Sequence, residues 1–238
     1  MPTKIYLLRH GQALHNVAMP GREPNDPIFR DAQLTEAGHA EAAALKTQIN
    51  GIRFDAIYCS PLQRCRQTLK EAYSRSVYLP VELDDRLLEQ PYGSYISNKR
   101  QEKEDVIASC PIHWSTARIS ETNPHMLMTK KAEYQIIKNF VKELLRVHPD
   151  ESVLLVCHGK WINRFLKSFC GVSKWVRNCE CLEVSLSEMP VDEMGGMNLM
   201  VQDEDLPSLL GAVAGEAEEA EEAVDTVDGP KLKRLKTE

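Results

Sequence analysis

The sequence predicts an α/β fold of three layers, in which helices flank a mostly parallel central sheet. Short apolar runs of strand length alternate with longer helical segments over most of the chain, and this alternation is typical of parallel strands joined by helical crossovers. Two apolar runs end in a histidine and a glycine, His10-Gly11 and His158-Gly159, and a third ends in Ser60-Pro61. Because ligands bind beyond the carboxyl ends of parallel strands, we expect a functional site at that edge.

The individual elements are predicted from periodicity and from start and stop signals. Apolar side chains at residues 137–145 follow the i, i+3, i+4, i+7 spacing of an amphipathic helix. Thr35 is the predicted N-cap of an alanine-rich helix that ends near Gly51. The predicted strands are residues 3–8, 54–59, 78–83, 152–157 and an edge-like strand at 181–187. The predicted helices are residues 36–49, 62–73, 98–109, 137–148 and 160–169.

The charge of the chain is unevenly distributed. The 238 residues have a net charge of −6, but residues 203–228 alone carry ten acids and no lysine or arginine. The last ten residues carry four bases and one acid, which leaves residues 1–202 with a net charge of +1. A body so close to neutral does not indicate a general nucleic-acid surface. A local basic pocket inside it remains compatible with these numbers.

The composition divides the chain into residues 1–190, a folded domain, and residues 191–238, an acidic and then basic tail that we expect to be disordered. The basic run from Pro230 to Lys236 resembles a nuclear import signal, and an ordinary solvated tail is the alternative interpretation. No run approaches the ~20 apolar residues of a membrane helix, and residues 5–8 are too short for a signal peptide. The seven dispersed cysteines predict reduced, mostly buried thiols. We therefore expect a cytoplasmic or nuclear protein without a membrane partner.

The predicted edge of the sheet collects two arginines and two histidines. Arg9 and His10 end the first strand, Arg64 lies in the first turn of the helix after the second, and His158 follows the strand at 152–157. Such a cationic pocket suits a phosphoryl group, and helix N-termini after Ser60 and Gly159 would add backbone donors.

Five segments of the chain carry further polar and glycine residues of this kind: L-R-H-G-Q at residues 8–12 with Asn16 beyond, L-T-E-A-G at 34–38, S-P-L-Q-R-C-R-Q-T at 60–68, L-L-E-Q-P-Y-G at 87–93 and V-C-H-G at 156–159. Together they resemble the signature of the histidine phosphatase superfamily, which includes the cofactor-dependent phosphoglycerate mutases. The segments follow the family's order and span most of residues 4–185. The resemblance implies a phosphoglycerate mutase-like fold.

The resemblance also implies roles for individual residues. His10 is the nucleophile that becomes a phosphohistidine, and Glu89 is the general acid for the leaving oxygen and then the base for water. His158 completes the catalytic set and, with Arg9 and Arg64, binds the phosphoryl oxygens. Asn16 is a further donor to the phosphate. The resemblance implies chemistry without a metal, and we expect no cofactor for this chain, so the expected partner is a small phosphorylated substrate.

Elementary electrostatics agrees with these roles. Neighbouring arginines disfavour a charged imidazole, so we expect a lowered pKa for His10. The same cations stabilise the charge of the transition state. Glu82, Asp84 and Asp85 are close in sequence to Glu89 and are the competing candidates for the acid. Arg66 is predicted to be structural or at the surface. The histidines predicted to be non-catalytic are His15, His39, His113, His125 and His148.

Three functions remain open at the level of sequence. Arg118 is the only arginine in residues 110–130, whereas mutases use paired arginines there for a sugar-acid carboxylate, so a phosphomonoester phosphatase is favoured. A phosphoglycerate mutase is the first alternative. The second is a histidine phosphatase domain that serves as a nuclear interaction module, which the charged tail suggests.

Overall fold

The computed structural model describes residues 1–17, 19–23, 25–89, 96–122, 130–188, 199–201 and 208–210. Its strands are β1 (Thr3–Arg9), β2 (Ala56–Cys59), β3 (Glu82–Asp84), β4 (Ser115–Arg118), β5 (Ser152–Cys157), β6 (Cys181–Glu188), β7 (Leu199–Val201) and β8 (Ser208–Leu210). Its α-helices are α1 (Glu36–Ala44), α2 (Lys46–Ile49), α3 (Gln63–Ala72), α4 (Lys103–Ser109), α5 (Lys130–Val147) and α6 (Gly159–Phe169).

The described strands form one sheet. Its order is β4-β3-β2-β5-β1-β6-β7, and β8 also pairs with β6. The five strands from β4 to β1 are parallel to their neighbours, and β6 runs antiparallel to β1, β7 and β8. The predicted α/β fold with a mostly parallel central sheet is thus confirmed.

Alternate side chains of the central strands pack on opposite faces of this sheet, as the period of two in a strand requires. Ile5 and Leu7 of β1 share a core with buried side chains of α5 and α6. Tyr6 and Leu8 share a second core with buried side chains of α1, α3 and α4. Helices therefore cover both faces, and the three layers of the prediction are present.

Three predicted strand assignments differ from the structure. Residues 78–81 are not a strand: a short 3-10 helix, Ser74–Val77, precedes an exposed Tyr78, and β3 begins only at Glu82. Pro80 has no N–H for a sheet ladder, which explains the late start. The polar strand β4 carries no apolar alternation and was not predicted. Finally, β6 is not at the edge, since β7 and β8 pair with it.

Six residues of the predicted disordered tail are in strands. Leu199–Val201 pairs with the end of β6, and Ser208–Leu210 pairs with its start. β6 uses one side of its backbone on β1, and its other side offers unpaired donors and acceptors to apolar segments. The boundary at residue 190 stays a prediction. The basic run at residues 230–236 lies outside the described residues.

Two further expectations concern cysteines and membrane spans. All seven cysteines are free, and five of them are buried, as the sequence predicts. Among the described helices, none has the length and apolar character that crossing a membrane requires.

Candidate active site

The parallel register places three strand ends side by side. Arg9 at the end of β1 is level with Cys157 of β5, and Cys59 of β2 is level with Val156. The chain continues this alignment beyond the strands, because the amide of His10 donates to the Cys157 carbonyl over 3.1 Å. The amide of Ser60 donates to the Val156 carbonyl over 2.9 Å. Residues 10, 60 and 158 consequently converge at one edge of the sheet.

The loop that carries His10 is fixed by direct backbone contact with α1. A Cβ atom on Gly38 would lie 2.0 Å from the Gln12 carbonyl oxygen, and one on Gly11 would lie 2.7 Å from the Gly38 carbonyl oxygen. Thr35 caps the helix, accepting from the Gly38 amide over 3.0 Å, as predicted. Gly11 does not use the conformational freedom of glycine, since its φ is not positive. Close approach, not backbone conformation, is the reason for both glycines.

His10 is held in one neutral tautomer. Its Nδ1 lies 2.7 Å from the Gly11 carbonyl oxygen, which only accepts, so Nδ1 carries the hydrogen. Its Nε2 accepts from the Nε–H of Arg64 over 3.2 Å, so Nε2 holds the lone pair. Burial, followed by the charges of Arg64 and Arg9, lowers the pKa of His10 well below its usual value. The ring therefore presents an unprotonated nitrogen, the state in which a histidine acts as nucleophile.

Arg64 lies at the centre of the site and is fully buried. Besides His10, its guanidinium donates to the Ser97 carbonyl over 2.8 Å and to Asn98 Oδ1 over 3.1 Å. Its Nη2 also lies 3.2 Å from His158 Nδ1. The segment at residues 96–98 thus orients the arginine between the two histidines.

His158 is also fully buried, and its ring centroid is 5.1 Å from that of His10. Because Arg64 only donates, His158 Nδ1 accepts, and Nε2–H donates to Ser60 Oγ over 2.9 Å. Burial and the charge of Arg64 lower the pKa of His158 well below its usual value. The N-cap of α3 is Leu62 and not Ser60, and the Ser60 hydroxyl instead accepts the Nε2–H of His158.

Arg9 is enclosed by the first turn of α6 and by the segment before β6. A Cβ on Gly159 would lie 3.2 Å from Arg9 Nε, so the glycine makes room for the guanidinium. Arg9 Nη1 donates to the Val176 carbonyl over 2.7 Å. Its Cζ lies 4.9 Å from the ring centroid of Trp175, a cation–π distance. Trp175 was not singled out by the sequence.

Glu89 reaches the same pocket from the segment after β3. The Lys160 amide, in the first turn of α6, donates to its Oε2 over 3.3 Å. Burial raises the pKa of Glu89, and the charges of Arg64, Lys160 and Arg164 oppose that rise. The competing acids are engaged elsewhere: Asp84 pairs with Arg86, Asp85 with Arg100, and Glu82 with Arg118. Pro91, Tyr92 and Gly93 lie outside the described residues.

Asn16 and His15 form the remaining side of the site. Asn16 Oδ1 accepts from the Ala13 amide over 3.0 Å, and Asn16 Nδ2 lies 3.2 Å from His15 Nε2. The ring centroid of His15 is 6.0 Å from that of His10. His15 was predicted to be non-catalytic, and its only signal in the sequence is its position directly before Asn16.

The other histidines that the structure describes, and Arg66, have their contacts outside this group of residues. His39 faces Glu71, His113 the Ser76 carbonyl, and His148 contacts Tyr58 and Glu151, while His125 lies outside the described residues. Arg66 is buried and donates to the Pro61 carbonyl and Ser109, which agrees with its predicted structural role. In the described part of the chain, no three His, Cys, Asp or Glu side chains are grouped to hold a metal ion.

Fold and site together define an α/β domain whose histidines and arginines converge beyond the carboxyl ends of a mostly parallel sheet. The family model described as histidine phosphatase superfamily (branch 1) matches residues 5–203. This chain belongs to that superfamily, as its motifs predict.

Known proteins similar to this chain include phosphatases and mutases. A probable phosphatase of Schizosaccharomyces pombe is 26% identical over 202 residues, covering 81% of this chain and 88% of its own. A 2,3-bisphosphoglycerate-dependent phosphoglycerate mutase of Parvibaculum lavamentivorans is 27% identical over 164 residues, covering 67% and 76%. The solved structure titled mycobacterial hydrolase 2 has a TM-score of 0.60 and 20% identity, covering 90% and 93%. The last similarity bears on the fold alone.

Proposed function

We propose that this chain hydrolyses small phosphomonoesters through a phosphohistidine on His10, without a metal ion or cofactor. The observation that carries the proposal is the state of the His10 ring. The Gly11 carbonyl holds its Nδ1 hydrogen, and Nε2 keeps its lone pair beside the Arg64 guanidinium. A phosphoryl group drawn to the arginines meets that lone pair.

In the first half-reaction, His10 Nε2 attacks phosphorus and the bond from phosphorus to the ester oxygen breaks. Arg9, Arg64 and Asn16 bind the phosphoryl oxygens, and the two cations stabilise the charge spread over them. His158 joins them when its Nε2–H turns from Ser60 Oγ to a phosphoryl oxygen. Protonated Glu89 gives its proton to the leaving oxygen, and the raised pKa favours that protonated form. The alcohol departs and the phosphoryl group remains on Nε2.

In the second half-reaction, water attacks the phosphohistidine and the N–P bond breaks. Glu89, now a carboxylate, accepts the proton of that water and returns to its acid form. The Gly11 carbonyl stabilises the positive charge of the phosphorylated imidazole through the Nδ1 hydrogen. Inorganic phosphate leaves and His10 is neutral again. Two such steps replace one difficult displacement.

A phosphoglycerate mutase is the second candidate, because a mutase is among the similar proteins. The charge pattern argues for the hydrolase. Arg118 pairs with Glu143 and Glu82 through contacts of 2.6 and 3.4 Å, so it is engaged within the protein. A substrate carboxylate would have to displace those acids to reach it.

The test is turnover by the purified full chain of p-nitrophenyl phosphate and of a panel of phosphorylated metabolites, at acid to neutral pH. We expect hydrolysis that EDTA leaves unchanged. His10→Ala abolishes it, whereas His39→Ala, a matched control on the partly exposed face of α1, retains it. Quenching with alkaline detergent in the presence of labelled substrate traps a base-stable, acid-labile phosphoprotein in the wild type and none in His10→Ala.

Other results would select other functions. A strict requirement for a divalent metal contradicts the proposed mechanism. Conversion of 3-phosphoglycerate that depends on a bisphosphoglycerate primer and exceeds hydrolysis identifies a mutase. Binding of phosphorylated compounds without turnover of any of them favours an interaction module.

A further inference from the structure

His15 is a third histidine of the active-site pocket, and neither the motif roles nor the proposed mechanism uses it. Its ring centroid lies 6.0 Å from that of His10. Burial, followed by the charges of Arg64 and Arg9, lowers the pKa of His15 well below its usual value. The two arginines of the phosphoryl pocket therefore face this ring as well, and the ring is neutral.

The hydrogen-bond chain through Asn16 assigns the tautomer of His15. The Ala13 amide only donates, so the Asn16 atom that it meets at 3.0 Å is the carbonyl oxygen. The other end of the amide is then the NH2 group, which donates to His15 Nε2 over 3.2 Å. Because Nε2 accepts, the single hydrogen of the neutral ring is on Nδ1.

The Nδ1 of His15 has no hydrogen-bond partner among the described residues, although the atom is buried. A buried N–H without an acceptor is costly, and native proteins rarely leave one. The charges that act on this ring are those of Arg64 and Arg9, and both guanidinium groups are donors as well. Among the described residues, this N–H therefore has no hydrogen-bond acceptor, and the oxygens of a phosphoryl group would supply one.

We propose that His15 is a substrate-binding residue, whose Nδ1–H donates a hydrogen bond to an oxygen of the phosphoryl group held beside His10. The inference rests on the proposed function, since it needs a phosphoryl group in this pocket. A neutral donor adds affinity for the phosphoryl group without a further positive charge beside His10. Asn16 is, in addition to its motif role, the positioning residue that fixes the tautomer of His15.

Two substitutions of His15 test the contribution of its N–H donor separately from that of its aromatic ring. His15→Phe keeps the ring and removes the N–H, whereas His15→Asn places an amide N–H near the former Nδ1. We expect His15→Phe to weaken binding of inorganic phosphate by about 10- to 100-fold in calorimetric titration, the range for one hydrogen bond to a charged group. His15→Asn is expected to stay within about threefold of the wild type. The melting temperature of each variant reports whether the fold is intact.

A spectroscopic measurement on the wild type is independent of any variant. In 15N-edited NMR, we expect the Nδ1–H resonance of His15 to shift when inorganic phosphate is added. If the resonance does not move, or if folded His15→Phe binds phosphate as tightly as the wild type, the inference is overturned. Should His15→Phe fail to fold, the NMR measurement decides.

The outcomes distinguish this inference from the proposed function. Phosphatase turnover with equal phosphate affinity in wild type and His15→Phe overturns the role of His15 alone. Phosphate binding that depends on His15 in a protein without turnover supports the role and overturns the hydrolase. A wild type that neither binds phosphate nor turns over substrate overturns both.

Discussion

The Nε–H of Arg64 donates to Nε2 of His10 across 3.2 Å. The atom that attacks phosphorus in the proposed reaction is therefore already oriented by the cation that would receive the phosphoryl oxygens. Arg64 orients the lone pair of His10 Nε2, and its positive charge also disfavours protonation of that nitrogen. Each of these effects can be tested separately.

Substitution of Arg64 is expected to raise the pKa of His10. Arg64→Met removes a positive charge that lowers the pKa of His10, so the acid limb of kcat/KM against pH moves to higher pH. We also expect kcat to fall by about 10²- to 10³-fold, because the negative charge of the transition state loses the arginine that stabilises it. Arg64→Lys keeps the charge and loses the forked contacts, so it shifts the limb less. Arg75→Met, on an exposed turn, is the control. An unmoved acid limb in folded Arg64→Met would contradict this account.

Glu89 is expected to control the alkaline limb of the same profile. Phosphoryl transfer needs its protonated form, so kcat/KM falls as pH rises through the raised pKa of Glu89. Glu89→Gln removes this limb and slows esters of poorly leaving alcohols far more than p-nitrophenyl phosphate, whose leaving group needs little protonation. Glu82→Gln serves as the control. Equal losses on both kinds of ester would argue against Glu89 as the acid.

The same carboxyl is expected to reduce stability at neutral pH. Its pKa in the folded chain is raised above the unfolded value, so ionisation disfavours folding: the penalty is absent below the unfolded pKa and complete above the folded one. Glu89→Gln should therefore have a higher free energy of unfolding than the wild type at pH 7. The difference should vanish near about pH 4, close to the unfolded carboxyl pKa. Urea titrations at both pH values measure it, and a constant difference would refute the linkage.

Gly38→Ala is expected to lower both stability and activity. Its Cβ would meet the Gln12 carbonyl oxygen at 2.0 Å, so either α1 or the loop that carries His10 must move, at a cost of about 1–3 kcal/mol. Gly51→Ala, whose closest contact is 3.2 Å, is the matched control. Thermal unfolding and kcat are the measurements. Activity that survives while stability falls would show that α1 moves instead of the loop.

The sequence predicts the centre of this fold better than its margins. Residues 5–8 of β1 and 153–157 of β5 are buried on both faces of the sheet and are apolar, so these strands can be assigned without knowing their partners. β4 lies at an edge, and its residues 115–118 carry no apolar pattern, so only its pairing with β3 defines it. The assignment of β7 and β8 as strands likewise depends on their pairing with the side of β6 that does not contact β1.

The residues of the site also divide into those that the sequence predicts and those that it does not. Arg9, His10, Arg64 and His158 follow strand ends, and a parallel sheet brings strand ends together whatever the intervening sequence. Ser60 and His15 matter through tautomers, which depend on which neighbour donates and which accepts. No pattern of spacing reports that property. Their contribution was therefore visible only once the hydrogen bonds were known.

The contact between Arg9 and Trp175 gives the protein an optical reporter of its own. Trp114 and Trp161 are buried, whereas Trp175 is 45% exposed and its ring centroid lies 4.9 Å from the Arg9 guanidinium carbon. A soluble quencher such as iodide therefore reaches Trp175 selectively, and an anion that binds Arg9 changes the field at the same indole. Emission of the unlabelled chain should follow occupancy of the pocket, so a fluorimeter alone can rank candidate ligands before their chemistry is known.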